Sequence, residues 1–360
     1  MNKQKTIITA TGFYNTGSSA ITHLLSEVDG VENASDVYEM RILYDPDCIS
    51  DLEYNLIETP HRQNSGYAVL RFKDYIDFNS NRLFNHHYER ICDGNFKKIS
   101  YEYINDLTEF RYQGASHLDV LRKGKLFWVV NRCYRKLAKY LIWNLHLSFV
   151  KETLMSPREL YAPTYKKDVF YLATKKYVGK VIDYLNKNRH ANIMIDQFLP
   201  ASNIKRYINY LPDDYNIKVF IVDRDPRDLY VLSKKMAIGK SIPINSPIDF
   251  CKWFLWTRGQ SMANNDPGCV MRVQFEDLIY DYEKTRDKII KFCQLEDQTN
   301  GKKGTVFKPE MSINNTQTWY RYPDVLEDVK IIEDNLKEFC YDFDSYTIKP
   351  DFQKGKMFDC

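Results

Sequence analysis

"TIITATGFYNTGSSAITHLLSEV", Thr6 to Val28, is the stretch whose reading decides the fold. A short β-branched run leads into a loop bounded by Gly12 and Gly17. Apolar residues then recur at Ile21, Leu24, Leu25 and Val28, which is helical spacing. Strand, glycine loop and helix in this order gather backbone N–H groups and the positive end of a helix dipole around one point, which makes an anion site. Gly12 and Gly17 have the spacing of the nucleotide loop G-x-x-x-x-G-K-[ST], and Ser19 takes its hydroxyl position. Ser18, however, stands where that pattern has lysine. Kinases and ATPases use the lysine, usually with Mg²⁺, to neutralise the β- and γ-phosphates. A loop with only Thr16, Ser18 and Ser19 as side-chain donors suits a ligand that presents a single phosphate here. A helix capped by Ser18 or Ser19 after a glycine turn would read the same way without any ligand.

Working outward, "DVYEMRILYD" (36–45) reads as a second strand followed by a "DPD" turn. From about Cys48 to Arg189 the pattern is mainly helical and rich in Tyr, Lys and Arg, most periodic in "LDVLRKGKLFWVVNRCYRKLAKYLIWNLHLSFVKETL". Strands return with "ANIMIDQ", "IKVFIVDRD" and "GCVMRVQFEDL", separated by helical patterns in "NIKRYINYL", "PRDLYVLSKKMA" and "PIDFCKWFLWTRGQSMA". Strands alternating with helices predict an α/β fold with a central parallel sheet flanked by helices. The expected organisation is one domain over 1–360. Its core is 5–45 and 190–320, with a mainly helical insertion at 46–189 on the acceptor side and a C-terminal helix and tail at 321–360.

The 360 residues are 44% hydrophobic and 28% charged, with 14% aromatics led by 27 tyrosines, an ordinary globular balance. The net charge of +3 is too small to call for nucleic acid. No stretch approaches the length of an apolar membrane span. The charged start runs straight into the first strand, so no secretory leader is expected. The eight cysteines are scattered without a C-x-x-C pair, which favours free thiols in a reducing cytoplasm over zinc or redox roles.

The second informative stretch is "VFIVDRDPRDLYVLS", Val219 to Ser233. A hydrophobic strand ends at Asp223 and releases Arg224, Asp225 and Arg227 at its carboxyl edge, where open α/β sheets bind ligands. Arg224 is suited to a bidentate phosphate contact. Pro226 fits the first turn of the next helix, and Asp228 favours the same helix end. A strand-end salt-bridge cluster is the alternative. Taken together, the two anion sites point to a ligand with two separated phosphates.

In this order, "GFYNTGSSA" and "VDRDPRDLYVLS" resemble the sulfotransferases that use 3′-phosphoadenosine-5′-phosphosulfate (PAPS). "VQFEDLIYDYEKTRDKIIKFC" resembles the segment that follows in that family, and "NGKKGTVFKP" resembles its late glycine and lysine loop. The resemblance implies a fold related to nucleotide kinases and transfer of a sulfonate from PAPS to a hydroxyl or amine without a metal. It implies that Gly12, Phe13, Tyr14, Asn15, Thr16, Gly17, Ser18, Ser19 and Ala20 hold the 5′-phosphosulfate. Arg224, Ser233 and Lys308 would hold the 3′-phosphate.

Asn15 stands where many members carry Lys or Arg against the sulfonate, so its amide donates without a positive charge. Arg41, Arg71, Lys73 and Lys234 are candidate replacements. The family's serine usually sits eight residues after the arginine; that place is Leu232 here, with Ser233 one residue later. Sulfonyl transfer also needs a base. Glu39 and Arg41 in "YEMR" alternate along the expected second strand and share a face. An E-x-R pair at this place resembles the tyrosylprotein sulfotransferases, with Glu39 as base and Arg41 steadying the sulfonate; a strand-end ion pair is the alternative. Asp196 is a second candidate base or a structural acid. His86 and His87 could meet an acceptor or simply be solvated. Trp253, Trp256 and Arg258 have the spacing of core packing with a snorkelling arginine.

The expectation is a cytoplasmic PAPS-dependent sulfotransferase acting on a hydroxyl compound, with a carbohydrate as the favoured acceptor, without nucleic-acid partners or a membrane span. The alternatives are a phosphotransferase on the same fold, and a non-catalytic nucleotide-binding protein, the latter favoured by Asn15.

Overall fold

β1 (Lys5–Gly12) is buried along nearly its whole length, as a charge-free run of Ile, Thr and Ala requires at the centre of a parallel sheet. It pairs in parallel with β5 (Asn192–Met194) on one side and, from Lys5 to Gly12, with β6 (Tyr215–Asp223) on the other. β2 (Val31–Asn33) extends the sheet beyond β5, and β7 (Val270–Gln274) extends it beyond β6. The order β2-β5-β1-β6-β7 is parallel throughout. The central parallel sheet flanked by helices is therefore present. In the computed structural model the described residues are 5–34, 39–81, 83, 87–115, 119, 123–236, 241–262, 268–298 and 301–352.

The helices follow in chain order: α1 (Ser19–Ser26), α2 (Ile49–Glu53), α3 (Arg62–Asn79), α4 (His87–Ile91), α5 (Phe96–Asp106), α6 (Gly124–Asn144), α7 (Lys167–Leu185) and α8 (Ile204–Ile208). α9 (Pro226–Lys235), α10 (Pro247–Met262), α11 (Asp277–Tyr280), α12 (Tyr282–Phe292), α13 (Pro309–Ser312) and α14 (Leu326–Leu336) complete the set. Alternate strand residues feed opposite faces of the sheet. Ile7, Ile193, Val219 and Ile221 join a cluster built largely from 40–107 and 161–185, whereas Ile8, Ala10, Phe220 and Val222 join one built from α1, α11 and α12. A third cluster unites α9, α10 and α14.

The insertion packs on the first of these faces. Tyr103 stacks on Tyr177 with centroids 4.6 Å apart, and Phe72 meets both rings edge-on. The stretch read as mainly helical also contains an antiparallel ribbon, β3 (Thr108–Gly114) with β4 (Arg158–Pro163). In β3, Phe110 and Tyr112 alternate with Glu109, Arg111 and Gln113, a strand pattern too short to stand out from the helical stretch around it.

The expected strand over 36–45 is corrected. Residues 39–45 form a turn, in which the amides of Tyr44 and Asp45 both donate to the Arg41 carbonyl. Met40, Ile42 and Leu43 are buried all the same, because Ile49 and Ser50 donate their amides to the carbonyls of Ile42 and Leu43. Residues 36–38 lie outside the described residues, as do His86 and His117. The second strand of the sheet is instead the three-residue "VEN" after α1.

Candidate functional site

The chain leaves β1 toward the β2 edge, and after β5 it crosses β1 to reach β6. Ligands of open α/β sheets bind at such a reversal, outside the carboxyl ends of the strands. The loop Gly12–Ser18 sits there. Tyr14 (φ 62°) and Asn15 (φ 52°) are both left-handed, and Gly17 follows at φ 88°. The Phe13 amide donates to Thr16 Oγ1 at 3.2 Å and closes the turn. A Cβ on Gly12 would lie 2.0 Å from Thr16 Oγ1, and one on Gly17 would lie 2.5 Å from the Phe275 ring. Gly17 is therefore fixed by conformation and by close packing, and Gly12 by close packing alone.

The residues of the loop divide by role. Phe13 is buried against the guanidinium of Arg258, 4.3 Å from its ring centroid, and so anchors the loop rather than facing a ligand. Tyr14 is exposed. Ser18 occupies the N-cap of α1 without a side-chain cap bond, and Ser19 is the first helical residue. Ser18 Oγ accepts from Gln197 Nε2 at 2.9 Å. The expected serine cap is thus replaced by a tie to the end of β5, since Gln197 also accepts from Thr11 Oγ1 and donates its amide to the Ala10 carbonyl.

The strand-end motif closes on the same loop. Arg224, only 2% exposed, donates through Nη1 to the Asn15 carbonyl at 3.2 Å and through Nη2 to the Asn315 carbonyl, and lies over the Phe275 ring. Its Nε is buried without a hydrogen-bond partner. Burial lowers its pKa, against the charges of Asp228, Glu276 and Asp225. Ser233 is wholly buried, and its Oγ accepts from Asn15 Nδ2 at 3.5 Å. Asn15 therefore touches both Arg224 and Ser233, each more than 200 positions away in sequence. Behind them, Asp225 caps α9 through the Arg227 amide and holds the Arg227 guanidinium. Asp228 does not serve the helix end as expected; it accepts from the amides of Gln317 and Thr318 and the Thr318 hydroxyl. Burial, with the charge of Asp225, pushes Asp228 up to about 6.

Gly17, Ser19, Ala20, Arg224 and Lys308 line one cleft, together with His23 and Phe275. Lys308 is the N-cap residue of α13. The segment before it is held by Glu27, the C-cap residue of α1, whose fully buried carboxylate accepts from the amides of Gly304, Val306 and Phe307 at 2.8–2.9 Å. Glu27, Gln197, His23 and Phe275 escaped the sequence reading as site residues. All four stand in stretches quoted above, and none was given a role there.

Asp223 ends β6 and is bound by Arg258 through Nε at 3.2 Å and Nη2 at 2.6 Å. Arg258 is 1% exposed and lies 3.6 Å from the Phe254 ring centroid, so it is a buried ion-pair partner and not a snorkelling side chain. Trp256 is exposed, and Trp253 packs at the edge of the third core cluster.

Glu39 and Arg41 come together through the turn, 3.6 Å apart, and Arg41 also faces Asp45 at 3.5 Å. Burial opposes the charge on Arg41, but Asp45 and Glu39 outweigh it and raise its pKa. The Met40 amide donates to the Asp196 carbonyl, which sets this turn against the end of β5. Asp196 is pushed up to about 7, first by burial and then by the charge of Glu39. Tyr44 donates to the Gln197 carbonyl, so Gln197 joins the Glu39 turn to the glycine loop. The other candidate cations are engaged elsewhere: Arg71 with Asp47, Lys73 with Asp77, and Lys234 with Asp328. Among the described residues, no group of three or more His, Cys, Asp or Glu could hold a metal.

No protein-family model and no curated protein matches the sequence. Among solved structures, the chain is similar to sulfotransferase STF1 from Mycobacterium tuberculosis H37Rv at 12% identity and a TM-score of 0.33, over 93% of this chain and 77% of that one. It is similar to the sulfotransferase domain from the curacin biosynthetic pathway at 11% identity and a TM-score of 0.34, over 93% and 99%. It is also similar to retinol dehydratase, in complex with androsterone and inactive cofactor PAP, at 13% identity and a TM-score of 0.34, over 94% and 83%.

Proposed function

We propose that the protein is a cytoplasmic sulfotransferase that moves a sulfonate from PAPS to a hydroxyl group, with a carbohydrate as acceptor. One observation carries this reading. A glycine loop without a lysine and a strand-end arginine share a single cleft, and Asn15 bridges them by touching both Arg224 and Ser233. A ligand with two separated phosphates fits this arrangement: loop amides serve one, and Arg224 and Lys308 serve the other, with the buried Ser233 holding Asn15 behind them. The buried, unpartnered Nε of Arg224 supports an anion held beside it.

On this reading Glu39 takes the acceptor proton as the acceptor oxygen bonds to sulfur and the sulfur–phosphate oxygen bond breaks. Arg41 and the Asn15 amide would steady charge on the sulfonate. Asp196, buried and poised near 7, is a second base at the same edge. An acceptor glycan finds support in a cavity of about 260 Å³ between α3 and the ribbon, lined by Tyr67, Tyr112, Tyr161, Arg62 and Gln63. The phosphotransferase alternative is disfavoured by Asp223, whose carboxylate is held by Arg258 and not offered to Mg²⁺.

The test is transfer of radiolabel from ³⁵S-PAPS to a glycan panel in EDTA. Label on a glycan, lost in Glu39→Gln, is expected. Phosphoryl transfer from ATP that requires Mg²⁺, with no sulfonate transfer, would overturn the proposal.

A further inference from the structure

α6 is built unlike the other long helices. Of its 21 residues only Asn131 and Ala138 are buried. Leu126, Val129, Val130, Leu137 and Tyr140 are 47–79% exposed. At about 100° per residue these five fall within an arc of about 100°. Lys125, Arg132, Arg135, Lys136 and Lys139 occupy a second arc of about the same width. Asn131 and Ala138 lie on the far side from the apolar arc, so that arc points away from the protein. Among the described residues, the helix is hydrogen-bonded to the segment that follows it: Asn131 Oδ1 accepts from Thr153 Oγ1 and the Leu154 amide, and Tyr134 donates to the Lys151 carbonyl. Phe149, in the connection that follows, is 80% exposed.

The helix contains no Asp or Glu. Glu152 is the carboxylate within ion-pair reach among the described residues, about 4 Å from Arg135 and Lys139. Lys125, Arg132 and Lys136 make no ion pair among them, and Arg132 lies over the Trp128 ring at 5.1 Å. No described helix is long and apolar enough to cross a membrane. An apolar stripe bordered by cations on one exposed helix is the pattern that lies in a bilayer surface.

We propose that α6 docks on an anionic lipid bilayer. Its apolar arc enters the headgroup–acyl boundary, and its cations meet lipid phosphates and carboxylates. Charge decides the occupant. A second copy seated on the same arc would bring two sets of five cations side by side, whereas an anionic surface complements them. Lipid docking requires no particular reaction at the glycine loop.

The test is co-sedimentation of the full chain with vesicles of phosphatidylcholine containing about 30% phosphatidylserine, beside phosphatidylcholine alone, at low and high salt. The expected result is partition to the anionic vesicles, weakened about tenfold or more by high salt and by phosphatidylcholine alone. Leu126→Glu with Leu137→Glu, both at exposed positions, should remove partition while melting stays at the parental temperature. Absence of partition would overturn the proposal, as would equal binding by the double variant. A concentration-dependent dimer abolished by the same two substitutions would assign the face to a second copy instead.

Discussion

Glu27→Gln perturbs the site without touching the cleft. The native carboxylate accepts the Val306 and Phe307 amides on Oε1 and the Gly304 amide on Oε2. Glutamine keeps the shape but has one acceptor oxygen. If Oε1 keeps its pair, an NH₂ group faces the Gly304 N–H, donor against donor. Two charge-assisted bonds become neutral ones, losing about 1 kcal/mol each, and the third is lost for up to another ~2 kcal/mol. The total is about 2–4 kcal/mol. Because Gly304 and Thr305 are exposed, the segment opens locally before the sheet unfolds. At 1.36 kcal/mol per decade, the Val306 and Phe307 amides should exchange with deuterium about 30- to 900-fold faster. Amides of β1 and β6 should be unchanged. The assay is hydrogen exchange followed by mass spectrometry. Exchange at 304–307 within about threefold of the parent would refute the role given to Glu27.

Gly17→Ala should destabilise the chain by about 2–4 kcal/mol in urea denaturation, from a left-handed φ with a side chain and a contact 2.5 Å from Phe275. Arg258→Met should cost about 3–5 kcal/mol, because Asp223 loses its partner beside a buried side chain, and Asp223→Asn made with it should recover part of the loss. Asp196 has a folded pKa of about 7, above its unfolded value, so the folded state binds the extra proton. Stability therefore falls as pH rises between about 4 and 7 and is flat above that range. Asp196→Asn should remove this slope and stabilise the chain at pH 8 by as much as about 4 kcal/mol. An unchanged difference between variant and parent at pH 4 and pH 8 would refute the shift.

The site was legible where its signals are local. The loop between β1 and α1 and the arginine at the end of β6 each announce themselves within about fifteen residues. Alternating strand and helix patterns then place both at one sheet edge. Contacts made at long range left no such trace. Glu27 looks like an ordinary charged residue at a helix end, yet it holds a segment some 280 positions away. Gln197 joins the loop to the Glu39 turn only because β5 lies beside β1. Residues 39–45 misled because Met40, Ile42 and Leu43 are buried, as strand residues would be, while the backbone turns at Arg41. The sheet is completed by "VEN", which is too short and too polar to read as a strand. Phe13 falls among ligand residues by spacing, and only the buried Arg258 beneath it gives its role.

The most direct measurement is calorimetric titration with 3′,5′-adenosine bisphosphate in EDTA, beside ATP with Mg²⁺. Micromolar or tighter binding of the bisphosphate is predicted, weakened about tenfold or more in Lys308→Ala, whose side chain lines the cleft without carrying the fold. Binding of ATP–Mg²⁺ with none of the bisphosphate would contradict the two-phosphate site.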